Sequence, residues 1–247
     1  MLPYISLYGY KLSVYGVCMA TAFLVCLYLF SRRMKRIGCC FEQSTVMTVV
    51  ILLSALAGAY LLHRLISIAD QNSKSEDLGF VLYGGIITGS LGCFVICKMY
   101  GYNTWKILDE IAAIVPLGQG IGRIGCFAVG CCYGKQTSGF PYVIYTHQEA
   151  RAPLYTPLIP VQLYEAVFDL ILFLFLYFGF WKDKPTHSKA LLYLSLYTSF
   201  RFFIEFFRGD AVRGIWGGLS TSQWISLSFL PMILFLFFRI RKHSIHS

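Results

Sequence analysis

The sequence predicts an all-α integral membrane protein of seven transmembrane helices, and three observations carry that reading. Hydrophobic residues make up 57% of the chain and charged residues only 13%, about half the share of a soluble domain. The apolar residues gather in blocks long enough to span a bilayer, which takes about 20 residues per helix. Lysine and arginine alternate in density from one connection to the next, as in a chain threaded back and forth through a membrane. The net charge of +9 is therefore an orientation signal and not a nucleic-acid surface.

The blocks run roughly 12–30, 46–66, 80–97, 107–127, 161–181, 190–207 and 220–238. Only Lys11 precedes the first, and Arg32, Arg33, Lys35 and Arg36 follow it, so it reads as a retained span and not a cleaved signal peptide. Between the second and third lies a polar connection, 67–79. Lys98 and Lys106 bracket the next one, and the fourth block runs into a glycine-rich stretch. A long connection rich in proline and aromatics follows, at about 133–160; such a segment is expected to be a lid, a docking surface or a passive cover. Lys182, Lys184 and Lys189 separate the fifth and sixth blocks, and Arg239, Arg241 and Lys242 follow the seventh. Twelve basic residues thus fall on one side and seven on the other, with Arg123 and Arg201 left inside spans. The richer side is expected to be cytoplasmic, which puts the N-terminus and the 133–160 loop outside and the C-terminus inside. No repeat divides the chain, and residues 1–247 read as a single domain.

Ionisable groups within a bilayer cost at least about 2.5–3.5 kcal/mol each on insertion scales, so those that persist are candidates for function. Arg123 lies in GQGIGRIGCFAVGCCYGK, residues 118–135. Its G-x-G-x-x-G match lacks the strand that a dinucleotide fingerprint requires, and Gly118/Gly122 and Gly130/Gly134 have the spacing of close helix packing. Packing would explain the glycines but not Arg123. In block six, Tyr197, Arg201, Glu205 and Arg208 fall on one helical face, with Glu205 placed to pair with Arg201. In block five, Gln162, Glu165 and Asp169 share a face; Asp169 reads as part of an interhelical network, the other two equally as network or site. Tyr15 and Tyr83 sit where tyrosine commonly anchors a helix at the interface. Two arginines, an acidic partner and flexible backbone at the outer side of the membrane core suit an anionic phospholipid headgroup, since guanidinium binds phosphate in a bidentate fashion.

Of nine cysteines, Cys126, Cys131 and Cys132 cluster near this stretch. They read as small packing residues or as lining of the site, with a redox role conceivable on an oxidising face. No C-x-x-C and no histidine stands at ligand spacing, so neither a metal nor another cofactor is expected.

These motifs resemble the prolipoprotein diacylglyceryl transferase family nearly end to end. The resemblance rests on Tyr15-Gly16, Gly84-Gly85, PLGQGIGRIGCFAVGCCYG, PVQLYE, SFRFFIEFFRGD and LSTSQWISL, in this order. It implies a seven-helix enzyme of the bacterial cytoplasmic membrane, active toward the extracytoplasmic side. Such an enzyme moves a diacylglyceryl group from phosphatidylglycerol to a prolipoprotein's lipobox cysteine, leaving a thioether and glycerol phosphate. Arg123 and Arg201 match the family's essential arginines, Glu205 its partner acid, Tyr15 and Tyr197 its site tyrosines, and Gly134 the glycine closing the signature. Tyr83 stands in the catalytic position where the family has histidine. Arg123, Gly125, Cys126, Gly134, Gln162, Glu165, Tyr197 and Arg208 are the expected substrate-binding residues.

Four positions depart from the pattern: Tyr83, Cys126 for asparagine, Cys131 for glutamate and Tyr60 for arginine. Tyrosine, with an ordinary pKa of about 10, is a poor base for a thiol, and only the thiolate is a good nucleophile. Either the arginines' positive field activates the thiol, or the acceptor differs. The alternatives are a divergent paralogue serving another acceptor and a non-catalytic phospholipid-binding protein; a thiol-redox role is a more distant one.

Overall fold

The structure, a computed structural model, describes residues 3–7, 10–69, 78–179, 188–210, 215–220, 222–229 and 231. Six long helices carry the fold: α1 (Val14–Lys35), α2 (Phe41–Ala69), α3 (Leu78–Tyr100), α4 (Thr104–Val129), α5 (Val161–Phe178) and α6 (Ser188–Ile204). Residues 222–229 are helical as well. The rest of the seventh predicted span, and most of the 67–79 connection, lie outside the described residues. Among the described residues, five segments are long and apolar enough to cross a membrane, with mean hydropathy from 1.3 to 2.2. Leu24, Tyr28, Leu53, Leu56, Ile87, Ile171 and Phe203 are each more than half exposed, an apolar exterior that suits a lipid solvent. The chain is a helical, multi-pass membrane protein.

The helical class expected from the sequence holds, with short strands added in the connections. Three small antiparallel hairpins accompany the helices: β1 (Tyr4–Leu7) with β2 (Tyr10–Ser13), β3 (Val143–Ile144) with β4 (Pro157–Leu158), and β5 (Ile215–Trp216) with β6 (Leu219–Ser220). They sit in the connections and at the N-terminus, where backbone groups free of helix need partners.

Local chemistry sets the helix ends. The Ser13 hydroxyl accepts from the Gly16 amide at the start of α1, and Arg32, Arg33 and Lys35 fill its last turn, where cations favour the helix dipole. Asn103 caps α4 by accepting from the Trp105 and Lys106 amides, and Gly130 ends it with φ 76°, the left-handed conformation that glycine adopts without strain.

Two seams position the helices. The first joins α2 to α3 through small residues. A Cβ on Gly84 would lie 2.4 Å from the Gly58 carbonyl oxygen, and one on Gly58 would lie 2.5 Å from the Gly84 oxygen. Thr88 closes the contact by donating to the Ser54 carbonyl at 2.6 Å. Close backbone approach through small residues is how helices associate where lipid removes the hydrophobic driving force. The second seam runs along α4. Gly118, Gly122 and Gly125 face Cys26, Met19 and Cys18 of α1, and Gly120 faces Ala166 and Asp169 of α5. The glycines of the signature are therefore packing residues, spaced to let α1 and α5 approach from two sides.

A cluster of charges ties the basic ends of these helices. Glu110 of α4 receives Lys189 of α6 at 3.0 Å and Arg33 of α1 at 3.5 Å. Arg33 also lies 4.0 Å over the Tyr177 ring, and Asp109 accepts from the Ala190 amide at 2.9 Å. Thirteen residues further along α4, about 20 Å at 1.5 Å per residue, Arg123 begins a second charged cluster.

Gly84→Leu should separate α2 from α3. The expected loss is about 1–3 kcal/mol or more, the usual cost of overpacking, read as a lower unfolding temperature in detergent.

Candidate active site

Three arginines and three acids form one alternating chain across α4, α5 and the end of α6. Arg123 Nε lies 3.1 Å from Glu165 Oε2, and the other Glu165 oxygen accepts from Arg201 Nη1. Arg201 Nη2 continues to Glu205 Oε2 at 3.0 Å, and Arg208 Nη1 approaches the same oxygen at 3.6 Å. Arg208 ends the chain with a bidentate pair to Asp210, at 3.1 and 2.7 Å. Glu165 and Glu205 are 4% and 1% exposed at the side chain. Such carboxylates are tolerated in a low-dielectric interior only when paired.

The Arg201–Glu205 pair falls one helical turn apart, as the spacing predicts, but the single-face stripe ends there. Regular helix stops at Ile204; Glu205–Phe207 is a 3-10 turn, and Arg208 leaves it extended. The backbone turns away because it is sewn to the long loop. The Lys135 amide donates to the Phe207 carbonyl at 2.8 Å, the Gly209 amide donates to the Tyr133 carbonyl at 2.9 Å, and Gly134 bridges Arg208. A Cβ on Gly134 would lie 2.4 Å from the Ile159 oxygen, and one on Gly209 would lie 2.5 Å from the Gly134 oxygen. Gly134 is thus required by crossing backbones.

The arginines do not play the same part. Arg201 bonds two carboxylates and reaches the Ser222 hydroxyl at 3.4 Å. Arg123 pairs with Glu165 through Nε, yet the alignment is not that of a hydrogen bond, and Glu165 Oε2 has no hydrogen-bond partner among the described residues. A fifth of the Arg123 side chain is accessible. Its guanidinium, with five N–H donors, is anchored by charge and free to bind. Tyr197, Cys132 and Cys126 lie within its electrostatic reach, and so does Tyr15.

A family model described as "Prolipoprotein diacylglyceryl transferase" matches residues 3–239. The chain is 36% identical to a phosphatidylglycerol–prolipoprotein diacylglyceryl transferase of Clostridium tetani, over 94% of each chain. It is 34% identical to phosphatidylglycerol–prolipoprotein diacylglyceryl transferase 2 of Clostridium perfringens, over 91% of this chain and 90% of the relative. A protein of the first name from Dehalococcoides mccartyi is 30% identical, over 92% and 89%. The chain belongs to the prolipoprotein diacylglyceryl transferase family.

Within this family member, the other expected site residues fall as follows. Tyr15, two-fifths exposed, packs against Gly125, whose Cβ would lie 3.2 Å from the ring. Tyr197 stacks on Tyr193, which donates to Gln119 at 3.0 Å. Gln162 holds the loop: its amide donates to the Cys131 carbonyl at 2.8 Å and to the Tyr145 hydroxyl at 3.3 Å. Asp169 is buried beside Gly120, and its Oδ1 has no hydrogen-bond partner among the described residues. Tyr60 is 62% exposed on the outside of α2. Tyr83 lies in α3, but its side chain is outside the described set. Cys126, Cys131 and Cys132 come together at the end of α4 with all three sulfurs within 4.8 Å of one another. Hydrogen bonding from the Cys126 and Cys131 thiols draws the Cys132 thiol well below the ordinary range against the effect of burial, and Arg208 and Arg123 add to it.

Two residues of this centre escape sequence reasoning. Asp210 closes the charged chain from a position that spacing alone cannot fold back. Tyr145, one aromatic among many in the loop, is fully buried over Ala152 and Leu158, and donates to the Phe127 carbonyl at 3.3 Å. Burial pushes the Tyr145 phenol up to about 12.

Removing Glu165 by Glu165→Ala should cost about 3–5 kcal/mol, because two arginines lose their shared counter-charge; an unfolding temperature close to the parent's would contradict this. Tyr145 links stability to pH with a definite sign. A phenol pKa raised in the folded state contributes fully below its unfolded value near 10 and loses that contribution as pH climbs through about 12. Unfolding temperatures of the parent and Tyr145→Phe should therefore converge as pH rises from about 10 to about 12.

Proposed function

We propose that this chain transfers a diacylglyceryl group from phosphatidylglycerol to the thiol of a prolipoprotein's lipobox cysteine. The observation that carries this is Arg123: a guanidinium within a membrane helix, held by Glu165 yet with its N–H groups unspent. A single anionic headgroup is the natural partner for such a group, because phosphate takes parallel N–H bonds from guanidinium. Relatives similar over nine-tenths of the chain are named for this transfer, which favours it over another acceptor or a mere lipid binder.

In this reading the lipid comes laterally from the membrane and lays its phosphate on Arg123. The acceptor sulfur attacks C3 of the diacylglycerol backbone; the C3–S bond forms as the C3–O bond breaks. Glycerol phosphate leaves with the bonding electron pair, one negative charge richer, and the thiol proton passes to water. Arg123 meets that developing charge, which is where preorganised donors accelerate a reaction most. Glu165 fixes Arg123 and Arg201 together, and Glu205, Arg208 and Asp210 keep Arg201 in register. Tyr15, Tyr197, Gly125 and Cys126 line the space beside Arg123, while Gln162 and Gly134 hold the loop over it. With Tyr83 in the histidine position, activation of the acceptor thiol falls to the positive charge at Arg123. The full architecture is seven spans in the bacterial cytoplasmic membrane, with the N-terminus and the charged chain toward the extracytoplasmic side.

The test is a purified sample with phosphatidylglycerol and a lipobox peptide, assayed by mass spectrometry for the diacylglyceryl adduct. Arg123→Ala should lower adduct formation by about 100-fold to 1,000-fold, as loss of one transition-state donor does. Arg123→Lys should recover little of it, because a point charge cannot bind two oxygens at once. Undiminished adduct in Arg123→Ala would sink the assignment.

A further inference from the structure

The three cysteines at the end of α4 are brought together by a backbone that works for it. The amides of Gly130 and Cys131 both donate to the Cys126 carbonyl, at 2.9 and 3.1 Å. Gly130 takes φ 76°, and Cys132 follows in the same left-handed region at φ 57°. For a residue with a Cβ that conformation costs roughly 1–2 kcal/mol. Two left-handed turns so close together fold Cys131 and Cys132 back over the helix end, toward Cys126. Gln162 of α5 clamps the result through the Cys131 carbonyl. All three thiols are free, and their sulfurs lie within 4.8 Å of one another. Packing alone needs neither the strain at Cys132 nor three sulfurs facing one point.

That spacing matches what one soft ion needs. A zinc–sulfur bond is about 2.3 Å, so sulfurs sharing one ion in tetrahedral array stand about 3.8 Å apart, within reach of small side-chain rotations here. Thiolates select closed-shell thiophilic ions over hard ones. Arg123 and Arg208 lie within electrostatic reach of Cys132, so the negative charge of three thiolates would not stand unopposed. We propose that Cys126, Cys131 and Cys132 form a three-thiolate binding site for one thiophilic d10 cation, of the Zn2+, Cd2+ or Cu+ kind, at the C-terminal end of α4. On binding, each thiol gives its proton to water and forms one sulfur–metal bond, three protons per ion. Three ligands leave the fourth position of a tetrahedral ion open. The absence of C-x-x-C and of a histidine at ligand spacing, which argued against a metal in the sequence, does not exclude ligands that a turn collects from i, i+5 and i+6. The site borders the space beside Arg123 through Cys126, and its test reads metal binding and not transfer.

The probe is Cd2+, titrated into the reduced full-length protein in detergent and followed by sulfur-to-cadmium ultraviolet absorbance. One equivalent should saturate the signal. Cys132→Ser and Cys126→Ser should each weaken binding by more than about 100-fold, beyond the loss of an outer-shell partner. Cys93→Ala should bind as the parent does, although Cys93 and Cys97 place two sulfurs 4.0 Å apart. Should a serine variant fail to fold, the parent itself gives the answer. Trypsin cuts after Arg123 and Lys135, so one peptide, IGCFAVGCCYGK, carries all three cysteines and none of the other six. Alkylation before digestion should modify it fully without Cd2+ and spare it with Cd2+. Equal alkylation in both, or a Cys132→Ser titration identical to the parent's, would overturn the site.

Discussion

One carboxylate decides where the charged residues of this protein can be. Glu165 is buried in α5 and faces two arginines from two other helices, so α4, α5 and α6 share a counter-charge that none can surrender alone. In a medium that solvates ions poorly, an unpaired guanidinium or carboxylate costs several kcal/mol. Correct assembly of the three helices and neutralisation of the centre are therefore the same event. The alternating chain that runs on through Glu205, Arg208 and Asp210 extends the principle past the end of α6.

Pairing leaves an asymmetry that chemistry can use. Arg201 is bonded to two carboxylates and behaves as a strut, whereas Arg123 is held by charge and makes no hydrogen bond among the described residues. Binding groups of this kind gain from being fixed before the ligand arrives, since no reorganisation is then needed as charge develops. In the second cluster, Arg33–Glu110–Lys189, both cations converge on one carboxylate, and Arg33 also donates to the Tyr177 carbonyl and lies over its ring. It joins helix ends.

The membrane class, the six long helices and the Arg201–Glu205 pair were legible in the sequence, because hydropathy and the 3.6-residue period are local properties. The glycine-rich run was legible as a packing surface but not its partners: nothing in the sequence says that Gly120 meets Ala166 while Gly125 meets Cys18. Glu165 could be singled out as an acid in a span, yet its bridging of two arginines depends on how three helices rotate against one another. The break at Ile204 was hidden for a similar reason. It follows from backbone bonds to Tyr133 and Lys135, some seventy residues away, and a helical pattern read along the chain cannot register it. The sulfur cluster depends on a left-handed φ at Cys132, which composition does not announce.

The stitching of the 133–160 loop to the 207–209 backbone has a mechanical consequence. Because Gly134 and Gly209 cross in van der Waals contact and their neighbours exchange hydrogen bonds, the base of the loop and the anchor of Arg208 form one rigid hinge-less joint. The loop cannot swing clear as a flap without dragging the charged chain with it. In the proposed reaction, a two-tailed lipid would then pass between helices and not beneath a moving flap. Variation in this protein should concentrate at the loop's far corners, where Phe140 and Tyr155 project into the surroundings, and be nearly forbidden at its base.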